Sequence, residues 1–252
     1  MGRIFDRPLT RQFLGFVIFV ALWEWAARMG WVNPLYIPAP SKIGAALVTL
    51  FGSGSIWPHL AATFSAALGG LALGIAVGTV LGAAAAMLPL IAELLEPVMI
   101  MLNAVPRVVL APLFVIWLGI GLASKVALAF MLVAVLVFFT VFTGIRQVDR
   151  KLVERVVTLG GGRGTLLREV YMPSVTAWLL GNLKVAVGFA FTGAVVGEFV
   201  AATKGLGYLL SFAQSTYNSA LMLALVLLIM IFVLLIFAIS EQVEKRLLRW
   251  RG

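Results

Sequence analysis

Long apolar runs separated by short polar or proline-rich breaks occupy almost the whole chain. A membrane helix needs about 20 apolar residues to cross a hydrocarbon layer about 30 Å thick, and the pattern predicts about six such spans. The first follows a basic start, MGRIFDRPLTRQ, and covers residues 12–30. A cleaved signal peptide is the rival reading. However, the run continues into Trp23-Glu24-Trp25 and Arg28 without a small-x-small cleavage site, so the span is read as retained. Residues 33–42, with three prolines, read as an extended loop. Ser41 has the chemistry of an N-cap for a short amphipathic helix through Leu50. After the break GSGSIWP, a second span covers 59–88. Residues 89–97 carry Glu93 and Glu96 and are too polar for lipid. The third span, 97–118, is interrupted by Pro106 and Pro112. A turn leads to a fourth span at 124–145, and further spans follow at 176–200 and 220–240. Between the fourth and fifth lies the longest polar stretch, 146–173, and residues 201–219 form another loop. The fold class is all-α integral membrane, a single transmembrane domain over 1–252.

Composition supports the pattern. Hydrophobic residues make up 62% and charged ones only 12%, where soluble domains carry about 25% charge. No soluble fold of this length hides so much apolar surface, so lipid must solvate most of it. The absence of cysteine removes disulfides, thiolate metal sites and cysteine nucleophiles. A net charge of +9 raises nucleic-acid binding, and the placement of the charges answers it. With both termini cytoplasmic, that side receives 13 basic residues: Arg3, Arg7, Arg11, Arg146, Arg150, Lys151, Arg155, Arg163, Arg168, Lys245, Arg246, Arg249 and Arg251. The other side keeps four: Arg28, Lys42, Lys125 and Lys204. This is the positive-inside asymmetry of a multi-pass inner-membrane protein, and nucleic acid is not needed to explain it.

Within the spans, Ala62, Ala66, Gly70, Gly74, Gly78, Gly82 and Ala86 recur every fourth residue. Such a stripe lets helix backbones approach closely in lipid, where van der Waals contact holds helices together. Packing within one subunit accounts for it more simply than a dedicated dimer face. Ionisable residues at depth are costly and purposeful. Lys184 lies about 15 Å into the fifth span from Pro173. It either snorkels to the inner surface or lines a cavity. Arg107 follows Pro106 in the broken third span, and irregular backbone at depth lines a cavity or is buried in protein. Together, Arg107 and Lys184 are candidates for a path that attracts an anion. Glu24 and Arg28, four apart, read as a structural pair. Glu198 reads as a helix-end or loop anchor ahead of a substrate ligand, and His59 as an interfacial structural residue ahead of a metal or proton site.

The stretch 146–173 has its own helical pattern. Leu152, Val156 and Leu159 share one face, while Glu154 and Arg155 point elsewhere. Gly160-Gly161-Gly162 stops that helix, and a second from Thr165 to Tyr171 ends at Pro173. The product is a helix–turn–helix outside the bilayer. GGGRGT is not a phosphate-binding loop, because no lysine follows its last glycine and no strand precedes it.

Glu154-Arg155-Val156, then Gly160, then Val170-Tyr171-Met172-Pro173 keep the intervals of the cytoplasmic EAA, Gly, I-x-L-P motif. On these residues the chain resembles binding-protein-dependent ABC permeases. Arg155 and Val156 depart from the two alanines, and Val170 and Met172 replace Ile and Leu with apolar residues. LYIPAPSKIGAAL (35–47), LNAVPRVVLAPLFVIWLGIGLASK (102–125) and GEFVAATKGLGYLL (197–210) resemble the nitrate, taurine and aliphatic-sulfonate branch, with its thiamine-precursor, riboflavin and aromatic-acid relatives. The resemblance implies six spans with both ends inside. It also implies a second copy of the permease, two cytoplasmic ATPase subunits that bind ATP and Mg, and an external substrate-binding protein. It makes the segment around Glu154, Arg155, Val156, Leu159, Gly160, Gly161, Arg163 and Pro173 the element coupled to the ATPase. The chain itself needs no cofactor or metal and is not an enzyme. An ion-coupled secondary transporter is the alternative, but it would show internal repeats and deep carboxylates, and neither is visible.

Overall fold

In a computed structural model describing residues 8–247, every regular element among the described residues is helical. Arg3, Arg7, Arg249 and Arg251 lie outside the described residues. The chain runs through α1 (Pro8–Arg28), α2 (Pro40–Gly52), α3 (Ile56–Met87), α4 (Pro89–Ala104), α5 (Arg107–Leu118) and α6 (Leu122–Arg146). It continues through α7 (Arg150–Thr158), α8 (Arg163–Leu166), a π-helical turn (Leu167–Tyr171), α9 (Met172–Val200), α10 (Leu206–Ser215) and α11 (Ser219–Leu247). Four stretches are long and apolar enough to cross a membrane: Ile56–Met87, Leu122–Arg146, Arg163–Val200 and Ser219–Arg246. The bent pair α4–α5 makes a fifth if counted as one span, and α1 is not among them.

α6 is apolar on every side, and such a helix belongs at the centre of a bundle. Val133, Phe138 and Val141 on it are fully buried. α3 and α9 pack on it, closing a core of Ala66, Val137, Ala190 and Ala194. The glycine stripe is what lets α3 in. A Cβ at Gly70, Gly74, Gly78 or Gly82 would come within 2.4–2.7 Å of an α6 atom. The stripe therefore packs within the subunit. Gly193 on α9 meets α6 in the same way, its would-be Cβ 2.6 Å from the Ala129 Cα.

Four local expectations change. Residues 89–97 are helical: Pro89 occupies the first turn of α4, where its missing N–H is no loss, and Glu93 and Glu96 sit on that helix. The third span breaks at Pro106, as its sequence suggests, but not at Pro112. Pro97 and Pro112 lie inside helices, and the chain breaks at Val105-Pro106 with a bend of 108°. Ser41 does not cap α2, whose N-cap is Ala39. Its N–H and hydroxyl both donate to Glu24, at 2.9 and 2.8 Å, so Glu24 holds Arg28 (2.6 Å) and α2 together. The loop 201–219 contains α10, because Leu206, Leu210 and Ala213 recur at helical spacing and bury against Ile56, Leu60 and Leu225.

Candidate functional site

The segment 147–173 is positioned by caps. Asp149 accepts a hydrogen bond from the Lys151 N–H at 2.9 Å and starts α7. The helix ends in a Schellman motif: the Gly160 N–H donates to Val157 O, and the Gly161 N–H to Val156 O, both at 2.9 Å. The two glycines are required for different reasons. Gly160 has φ +79°, in the left-handed region. At Gly161 a Cβ would lie 2.5 Å from the Val156 Cγ1. This closure aims α7 away from the bundle, and no residue on it is buried.

What α7 presents is an uncovered amphipathic surface. Leu152, Val157 and Leu159 are exposed, Leu159 by 81%. Glu154 and Arg155 are exposed beside them. Leu152 and Leu159 share one side with the part-buried Val156, and an apolar stripe on so short an exposed helix marks a surface for something else to cover.

The second half differs from expectation. Pro173 does not end a helix. Arg163–Val200 is continuous over 38 residues, about 57 Å. Proline lacks an N–H, and its ring would strike the carbonyl four residues back. The π-helical turn widens the backbone there, with the Met172 N–H donating to Leu167 O. The predicted residues from Glu154 to Pro173 thus fall on one exposed hairpin, and its second arm is a membrane-crossing rod.

The two path candidates are not brought together. Arg107 opens α5 at the broken span; its side chain lies outside the described residues. A cleft of about 400 Å³ runs beside that break, lined by Asn103, Pro106, Leu132, Thr192 and Val196. Lys184 is not among its lining residues. It lies about 24 Å before the C-terminal end of α9 and donates to Glu241 of α11 at 3.0 Å. Glu241 also accepts from Lys245 at 2.7 Å, so Lys184 ties the N-terminal half of α9 to α11. The sequence shows both charges, but their pairing across 57 positions has no local signal.

At the opposite end of α9, sequence reading singled out Glu198 and His59 but not their connection. Glu198 is 2% exposed. It accepts from the Thr63 hydroxyl at 2.8 Å and the Gly207 N–H at 3.0 Å. His59 accepts from the Gly205 N–H at 3.1 Å and stacks on Tyr208. Lys125, also buried, donates to Ile120 O and shares with Glu198 a small pocket of about 210 Å³. Glu198 is a loop anchor, and the part Thr63 plays, donating to Glu198 and accepting from the Leu206 N–H, was illegible because a threonine in a span carries no signature. Among the described residues, no group of His, Asp or Glu could hold a metal ion.

Residues 74–249 match the family of binding-protein-dependent transport system inner membrane components. The riboflavin transport system permease protein RibX of Chloroflexus aurantiacus is 30% identical over 248 residues, 98% of this chain and 92% of RibX. The taurine transport system permease protein TauC of Escherichia coli is 27% identical over 254 residues, 97% of this chain and 92% of TauC. Among solved structures, inward-facing conformations of the MetNI methionine ABC transporter superpose with a TM-score of 0.60 at 21% identity, over 76% of this chain and 93% of that one. That likeness establishes the fold. A multi-span helical bundle with an exposed hairpin, and a family match over more than half the sequence, lead to one conclusion: the chain belongs to the binding-protein-dependent transport system inner membrane components and is the inner-membrane permease subunit of an ATP-binding-cassette importer, with ATP handled by a partner subunit.

Proposed function

We propose that two copies of this chain form the path of the importer, each seating its α7 hairpin in a cytoplasmic ATPase subunit. The observation that carries this reading is α7 itself: a capped helix with its apolar residues uncovered, joined through α8 to the 38-residue rod. Movement of a partner against α7 is delivered to α9 through the short turn 159–162, which the Gly160 and Gly161 N–H bonds back to α7 hold closed. Both ends of the chain are cytoplasmic in this reading. α1 and the broken α4–α5 complete six spans within one domain. Glu154, Arg155, Val156, Leu159, Gly160, Gly161, Arg163 and Pro173 form or shape the seat.

The solute is a small organic or inorganic anion of the sulfonate, taurine or nitrate class, delivered by an external binding protein. The similarity to TauC supports that class, and the similarity to RibX makes riboflavin the solute to test beside it. The cleft at the Pro106 break, with Arg107 beside it, is the proposed path wall. Lys184 contributes by holding α9 against α11 along that wall. The test is the mass of the purified complex in nanodiscs: two copies of this chain with two ATPase subunits are expected, and a complex with one copy overturns the pairing.

A further inference from the structure

At the outer end of α9, three successive backbone donors are captured by three side chains from two other segments. Gly205 is the N-cap of α10, and the N–H groups at the start of a helix have no partner within it. Here the Gly205 N–H goes to His59, the Leu206 N–H to the Thr63 hydroxyl at 2.9 Å, and the Gly207 N–H to Glu198. His59 and Thr63 are four apart and so lie on one face of α3, while Glu198 closes the set from α9. The hydroxyl of Thr63 accepts from Leu206 and donates to Glu198, so the captures of Leu206 and Gly207 form one network, with His59 holding Gly205 beside it. There is no slack in it. A Cβ at Gly205 would lie 2.1 Å from the Glu198 carboxyl carbon, and one at Gly207 would lie 2.2 Å from Val195 O.

We propose that Glu198 is a positioning residue that fastens the external corner 201–207 to the rod and to α3, so that the corner moves with α9 during transport. This rests on the permease reading above. The rod begins beside α7 and ends at Glu198, so a displacement imposed at the coupling hairpin reaches the corner only if the corner is fixed to the rod. Glycine at 205 and 207 leaves the backbone itself unable to supply that rigidity. The carboxylate supplies it: its Oε2 accepts from the Thr63 hydroxyl and the Gly207 N–H at once.

The natural absence of cysteine permits a clean test. Thr203 is exposed on the corner. A nitroxide on Thr203→Cys, in the assembled transporter in nanodiscs, reports corner mobility by its line shape. Glu198→Ala should convert an ordered spectrum to a mobile one and abolish most of the stimulation of ATP hydrolysis by the binding protein. Glu198→Gln keeps an acceptor oxygen in place and should restore order and much of the stimulation. A merely structural role would lower yield or melting temperature without separating stimulated from unstimulated hydrolysis. Thr63→Val, which removes the relay hydroxyl, should reproduce the mobile spectrum and serves if Glu198→Ala does not assemble. An ordered spectrum with normal stimulation in an assembled Glu198→Ala or Thr63→Val protein overturns the proposal. A parent transporter that hydrolyses no ATP at all would instead overturn the permease reading.

Discussion

Gly70→Ala, compared with Gly69→Ala, isolates the α3–α6 contact from helix propensity. Either substitution replaces a helical glycine and should gain up to about 1 kcal/mol of intrinsic helix stability. The surroundings differ sharply. At Gly69 the new Cβ meets only the Val126 methyls, at 3.4 and 3.6 Å, which is ordinary contact. At Gly70 it would lie 2.4 Å from the Ala129 Cβ, 2.8 Å from the Phe130 N and 3.0 Å from the Ala129 carbonyl carbon. None of these is the end of a flexible side chain. Carbon atoms pack at about 3.5–4.0 Å, so the two helices must part by about 1 Å. A gap of that size forfeits a quarter to a half of the dispersion along the seam. Overpacking costs about 1–3 kcal/mol, and the rigid neighbours place this site at the upper end. After the propensity gain, Gly70→Ala is destabilising by about 2 kcal/mol while Gly69→Ala is neutral or slightly stabilising. The assay is the reversible unfolding of the purified protein in mixed micelles. Equal stabilities for the two variants would refute the packing argument. Trimming Val133 to Ala should not rescue Gly74→Ala either, because the clash there is with the Val133 Cβ itself, at 2.5 Å.

Three further outcomes are expected. Gly160→Val forces a β-branched residue to φ +79°, at about 2 kcal/mol or more. It should lower ATPase co-purification or uncouple hydrolysis from uptake, and full retention with normal uptake would exclude the hairpin as coupling element. Glu154→Arg reverses a charge at the proposed seat and should weaken ATPase retention in a salt-dependent manner; a washed-resin assay with unchanged retention at low salt would contradict the contact. Lys184→Cys replaces a side chain 35% exposed, and Arg107→Cys one at the broken span. If both positions line the path, thiol labelling at each should change when an ATP analogue traps the transporter, and identical labelling with and without the analogue removes that residue from the path.

The sequence made some layers of this protein legible and hid others, for physical reasons. Spans read well where one solvent, lipid, sets one rule for 20 residues at a time: the apolar runs near 124–145 and 220–240 coincide with α6 and α11. The glycine stripe was visible because its period is that of a helix. Prolines misled. Pro106 breaks the third span as read, yet Pro89 begins a helix, Pro112 sits inside one, and a π-helical turn carries the rod past Pro173, which was read as a stop. A proline disrupts only the turn before it, and tertiary packing decides whether the helix resumes. The end of α7 was legible because its stop is local: Gly160 acts within three residues of itself. Glu198 and Lys184 were legible only as charges in the wrong place. Their partners, Thr63 135 positions away and Glu241 57 away, are set by the bundle and leave no pattern along the chain.

The central claim is that this chain moves a solute with energy taken from a partner's ATP. Its most direct test is uptake into sealed liposomes holding this chain with its ATPase subunit, with the solute-loaded binding protein outside and ATP within. The account predicts accumulation that requires ATP, the ATPase subunit and the binding protein together, and that survives collapse of proton and sodium gradients. Accumulation by this chain alone, driven by an ion gradient without ATP, would contradict it.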